Sequence, residues 1–131
     1  MKYVKEGGYT LAENESVRTS IRGFAVGNDF VRLDADGQLH LAKKYSWDGM
    51  SGPVPNTRRN MVASLVHDAF CQLLREGLLP AYLREECDLE FRDVLINSGT
   101  WLLVAQCYYL VVRMLGEKPI FSRAQRVEEA F

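Results

Sequence analysis

The stretch Met61-Val62-Ala63-Ser64-Leu65-Val66-His67-Asp68-Ala69-Phe70-Cys71-Gln72-Leu73-Leu74 decides how this chain folds, because at a helical period it leaves hardly any polar face. A helix that is apolar all round has to be buried. Asn56 or Thr57 can cap it, it runs from about Arg58 to Glu76, and Gly77 closes it. Arg58 and Arg59 sit in its first turn, the unfavourable end of the helix dipole, and read either as a solvated pair or as contacts for an anionic ligand or lipid headgroup.

Working outward, a second helix starts near Pro80 and runs to about Asn97, before Ser98-Gly99. Thr100 can cap a third, Trp101 to Leu115, closed by Gly116. Short connections make successive helices antiparallel neighbours. The third helix is uncharged apart from Arg113, but Gln106 interrupts it and its length is about three-quarters of a membrane span. It is expected as a buried core helix, with Trp101, Tyr108 and Tyr109 packed inside. A charged tail follows, residues 117–131, with a short helix from Ser122. Its Ile120, Phe121, Val127 and Phe131 need apolar contacts, which points to a partner.

Upstream, Met1 to Tyr45 reads as β structure. Phe30-Val31-Arg32-Leu33 and Leu39-His40-Leu41 flank Asp34-Ala35-Asp36-Gly37-Gln38, a hairpin signal because Gly takes positive φ at little cost. Tyr9 to Leu11, Val17 to Ile21 and Gly23 to Val26 are weaker strand candidates, and Gly49, Gly52, Pro53 and Pro55 punctuate the approach to the first helix. The expectation is one α+β domain. Antiparallel β hairpins and a loop occupy residues 1–55, three packed antiparallel helices residues 56–116, and the charged tail the rest.

The 131 residues suffice for one core, burying roughly two-thirds of the unfolded surface. With 47% apolar and 25% charged residues the composition is globular, which excludes disorder. A net charge of −1 argues against an electrostatic nucleic-acid binder. The first twenty residues carry Lys5, Glu6, Glu13 and Glu15 without an apolar run, so no signal peptide is read there. Cys71, Cys87 and Cys107 cannot all pair within one chain and read as reduced thiols.

Chemistry concentrates on the first helix, where His67 and Asp68 stand side by side on a buried surface. A buried aspartate has to be paired, hydrogen-bonded or metal-bound. On an antiparallel second helix Asp88 can lie opposite His67, holding the imidazole in one tautomer and stabilising its charged form. Asp48, in the punctuated loop, could join Asp68 around a hard cation. The plainer reading is a core histidine satisfied by hydrogen bonds. His67, Cys71, Cys87 and Asp88 could also make a mixed zinc site, though the paired spacings typical of zinc ligands are absent.

The order of motifs is familiar. Trp47-Asp48-Gly49-Met50-Ser51-Gly52-Pro53, then Ser64-Leu65-Val66-His67-Asp68-Ala69-Phe70, then Arg84-Glu85-Glu86-Cys87-Asp88-Leu89-Glu90-Phe91 resembles a phage-borne and prophage-borne family of unknown function, over about residues 28–116. The resemblance implies a viral protein, placed in the cytoplasm of the infected host or in the virion. The same motifs look like a compact form of the secreted and prokaryotic phospholipase A2 pattern, in which a calcium loop precedes a His-Asp helix and a second helix supplies another Asp. That resemblance implies His67 as general base, Asp88 as its orienting acid, and calcium held by Asp68, Asp48 and carbonyls around Gly49. The sequence departs from this pattern at Cys71, where a tyrosine usually bonds the orienting aspartate, and at Ser64, where a cysteine is common. Tyr108 or Tyr109 is the substitute hydroxyl to look for. Trp47 could shield the loop or touch lipid.

Two functions are therefore expected. One is calcium-dependent hydrolysis of a lipid ester at a membrane surface. The other is a structural or interaction component of a phage particle, contacting other phage proteins and keeping the constellation as a buried polar network.

Overall fold

The computed structural model describes residues 1–5, 8–50 and 58–115, without the side chains of Arg58, Arg59 and Leu115. The expected caps Asn56 and Thr57, the punctuating Gly52, Pro53 and Pro55, and the tail with its helix from Ser122 lie outside the described residues. The described strands are β1 (Tyr3–Lys5), β2 (Tyr9–Leu11), β3 (Glu15–Arg18), β4 (Val26–Gly27), β5 (Val31–Leu33), β6 (Gln38–Leu41) and β7 (Ser46–Trp47). The helices are α1 (Arg58–Arg75), α2 (Arg84–Asn97) and α3 (Leu102–Leu115), with a 3₁₀ turn at Ala81–Leu83. This is the α+β arrangement that the sequence predicts.

The strands form two antiparallel sheets, one in the order β1-β2-β7 and the other in the order β3-β6-β5-β4. In the second, Val31 pairs with Leu41 and Leu33 with Leu39, all four buried, while Arg32 opposite His40 faces outward. That alternation is the period of two expected of a half-buried strand. The turn is set by Gly37, at φ +96°, where any Cβ would collide with the Thr19 carbonyl. Two predicted strands differ from the sequence reading. The one expected over Val17 to Ile21 ends at Arg18, because the Ser20 N–H goes to Glu90 Oε1 and the Ile21 N–H to Thr19 Oγ1. The one expected over Gly23 to Val26 is only Val26–Gly27, since Gly23 takes a turn conformation at φ +86°.

Helix α1 forms the centre of the molecule. From Asn60 to Leu73 every side chain is buried except that of Val62, which is half-buried. One apolar cluster joins Leu33, Leu39, Leu41 and Trp47 of the strands to Leu65, Phe70 and Leu73 of α1 and Phe91 and Leu95 of α2. The short β7 carries the loop toward α1: Tyr9 pairs with Trp47 and Thr10 with Ser46, and the Thr10 and Ser46 hydroxyls lie 2.7 Å apart. Tyr3 and Tyr9 pack on the Trp47 ring at 5.9 and 5.6 Å. The Trp47 indole N–H then donates to Ser64 Oγ at 3.0 Å, and Ser64 donates to the Met61 carbonyl. Trp47 is buried, so it offers no surface for the lipid contact that was its alternative role.

α2 begins after the 3₁₀ turn, later than the expected start near Pro80, with Glu85 and Glu86 at the favourable end of its dipole. Its buried Glu90 accepts from the Ser20 N–H at 3.1 Å and hydroxyl at 2.6 Å, tying the helix to the strands. Asp88 meets Arg113, while Arg92 meets Gln106 and the Tyr109 ring, so partner numbers fall as α2 ascends and α3 runs antiparallel to it.

The expectation of a buried third helix is not met. Among the described side chains of α3 only Ala105 and Val112 are buried, whereas Leu102, Leu103, Leu110 and Met114 are half exposed or more. Trp101, expected in the core, is 79% exposed. Tyr108 is partly buried against the core and Tyr109 lies under the Arg92 guanidinium at 5.5 Å. The physical reason is position in the chain: α3 packs on α2 along one stripe, and no other described element reaches its far side in comparable strength. No helix of the described residues is long and apolar enough to cross a membrane.

Candidate functional site

Consecutive residues on a helix point about 100° apart, so His67 and Asp68 face different neighbours. His67 turns to α2, where its Nε2 lies 2.7 Å from Asp88 Oδ1, with both side chains buried. Its ring packs on Phe91 at 5.2 Å between centroids. The carboxylate accepts and the ring therefore carries its proton on Nε2, which leaves Nδ1 as the basic nitrogen when the imidazole is neutral.

Asp88 has two further partners. Arg113 Nη1 donates to Oδ2 at 2.9 Å, and Arg84 Nε lies 3.3 Å from the same oxygen. Burial alone would raise its pKa. The hydrogen bond and charge of His67, the hydrogen bond of Arg113 and the charge of Arg84 outweigh burial and hold Asp88 below the usual carboxylate range. The substitute hydroxyl sought on α3 is thus not what secures the orienting acid: an arginine does. Arg113 was visible in the sequence as the lone charge of an otherwise uncharged helix, and Arg84 as the cation four residues before Asp88.

Cys71, at the position where the phospholipase pattern has tyrosine, places Sγ 3.7 Å from His67 Nε2 and 4.0 Å from Nδ1. Burial pushes its thiol up well above the ordinary range and pushes Cys87 up to about 12. All three cysteines are free, Cys107 being exposed.

Asp68 turns the other way, toward the loop after β7. The Asp48 backbone N–H donates to its carboxylate, and the two carboxylates are near enough to repel. Burial first, and then the Asp48 charge, push Asp68 well above the usual carboxylate range, against the opposing pull of that N–H and of Arg75. Gly49 follows at φ +88°, a backbone conformation that favours glycine. Tyr45, which the sequence reading passed over, is buried beside this group: burial and then the Asp68 charge raise its pKa, and its hydroxyl has no hydrogen-bond partner among the described residues.

The structure therefore brings together His67 with Asp88, and Asp68 with Asp48 and Gly49. Asp68, Asp48 and the buried Tyr45 hydroxyl are the oxygen donors on this side of α1 that could serve a hard cation. Among the described residues no set of three or more His, Cys, Asp or Glu side chains is placed to hold a metal ion, so such a cation would draw further ligands from loop carbonyls and water. Neither a family model, nor a curated protein, nor a solved structure matches this chain.

Proposed function

We propose that this is a phage- or prophage-encoded protein with a phospholipase A2-like site, hydrolysing a lipid ester at a membrane surface. It would act in the host cytoplasm or from the virion. The observation that carries the reading is the buried His67–Asp88 pair, 2.7 Å apart and backed by Arg113. Asp88, kept ionised, orients the ring and stabilises its charged form. His67 Nδ1 is then the atom that takes a proton from an attacking water and later gives it to the departing alcohol. Asp68 and Asp48, with carbonyls near Gly49, are the residues that would hold calcium. A bound calcium ion would supply a positive charge for the ester oxygen as it becomes anionic.

A general base contributes about 10²–10⁴-fold to rate, so His67→Asn should lower calcium-dependent fatty-acid release from mixed anionic vesicles by that factor. A silent wild type, or equal rates in both proteins, would remove the hydrolase.

A second reading is favoured by α3. The exposed Leu102, Leu103, Leu110 and Met114, with Trp101 beside them, suit contact with another phage protein in a tail, baseplate or assembly complex. In that case the His67–Asp88 pair serves as a buried polar network. Particles purified without the protein would eliminate a virion role.

A further inference from the structure

The outward face of the β3-β6-β5-β4 sheet carries a second constellation, remote in the fold from His67. Cross-strand pairing sets Ser16 opposite His40 and His40 opposite Arg32, so these three side chains stand in one row. Asp34, two residues after Arg32, shares its face. Ser16 Oγ lies 3.0 Å from His40 Nδ1, and His40 Nε2 lies 2.7 Å from Asp34 Oδ2. The Arg32 Nε is 3.3 Å from the other Asp34 oxygen.

Asp34 is held below the usual carboxylate range, chiefly by the hydrogen bond from His40, and is therefore an acceptor. The proton between them belongs to His40 Nε2. In the neutral ring Nδ1 is then the acceptor, and the Ser16 hydroxyl donates to it. Each of these solvent-accessible groups could have been satisfied by water, yet they are ordered into one chain of nucleophile, base and orienting acid. Beside them an open groove of about 290 Å³ is lined by Ser16, His40 and Arg32, with Phe30, Glu15 and Asp29. Its size suits a small ligand, and its two carboxylates disfavour an anionic one.

We propose that Ser16, His40 and Asp34 form a second, nucleophilic site that takes an acyl group from a small neutral or cationic ester. Ser16 Oγ bonds to the ester carbonyl carbon while its proton passes to His40 Nδ1. The carbon–oxygen bond to the leaving alcohol breaks, and that oxygen takes the proton from Nδ1. Water, deprotonated by Nδ1, then attacks the acyl-serine, and the returning proton restores the hydroxyl as the acid departs. Asp34 is the positioning residue. Arg32 is the cation that lines the groove where the oxyanion develops.

The test uses the full chain and a fluorophosphonate probe, with adducts mapped by mass spectrometry and folding checked by circular dichroism. Wild type should be modified at Ser16. His40→Gln should slow that modification by about 10²-fold or more. Asp34→Asn should slow it less, by about tenfold, and should also slow release of the acetyl-Ser16 formed from p-nitrophenyl acetate, a readout that mere loss of stability would not give. His67→Asn should leave Ser16 labelling unchanged, which separates this site from the lipid-ester reading. Absence of a Ser16 adduct in the folded wild type would overturn the proposal. Equal labelling of wild type and His40→Gln would also overturn it. If His40→Gln fails to fold, Asp34→Asn, at an exposed position, carries the same comparison.

Discussion

Helices α1 and α3 look alike in the sequence, since both are long apolar runs closed by glycine, yet one is enclosed on all sides and the other lies half in water. The polar residues tell them apart. α1 buries Asn60, Ser64, His67, Asp68 and Gln72, and four of these have named partners: Trp47 for Ser64, Asp88 for His67, the Asp48 N–H for Asp68, Glu76 for Gln72. α3 has fewer polar groups, but its position after α2 leaves one face without any described neighbour of comparable extent. Apolar composition thus states what a helix would gain from burial. It does not state which other element will cover it.

The largest effect should come from hollowing the enclosed helix. Phe70 is fully buried, and Phe70→Ala should cost about 3–5 kcal/mol in urea unfolding. A cost near zero would mean that α1 is not the centre of the core. A smaller and pH-dependent effect is expected at Asp68, whose folded pKa lies above its ordinary value of 3.8. The native state then holds a proton that the unfolded chain releases, so this group's stabilising contribution is full below that value and is lost as pH rises. Asp68→Asn should therefore gain on wild type by a few degrees in Tm between pH 4 and pH 7. A difference that stays constant over that window would show the carboxyl to be unperturbed. The smallest effect belongs to α3: Leu103→Ala, at a side chain 76% exposed, should change stability by no more than about 0.5 kcal/mol. A cost approaching that of Phe70→Ala would show the outer face to be covered after all, and would erase the distinction.

The helices were legible because their punctuation is local. Gly77 and Ser98-Gly99 end α1 and α2 within a residue or two of the expected places, and the hairpin around Asp34 to Gln38 follows from one glycine at positive φ. The His67–Asp88 pairing was legible for a related reason: two helices joined by a short turn have few ways to face each other. What the sequence could not convey depended on pairing between distant segments. Tyr45 reaches Asp68 only because β7 pairs with β2, and Ser16 reaches His40 only through the β3–β6 register, across twenty-four residues. Serine, histidine and aspartate on a solvated strand look like ordinary surface until that register is known. Arg113 was seen as a charge, but its partner was not, because the angle at which α3 crosses α2 sets which side chain of α2 it meets.

The two tryptophans fall on opposite sides of this division. Trp47 is 1% exposed and its indole N–H is bound to Ser64, whereas Trp101 is 79% exposed at the start of α3. Their emission is therefore a sum of two colours, a blue component from a dry indole and a red one from an indole in water. A soluble quencher reaches only the red one. Light from the blue component reports whether the loop bearing Asp48 stays seated on α1, and light from the red component reports whether anything has come to rest on α3. The chain carries, without any label, separate lamps for its site and for its open face.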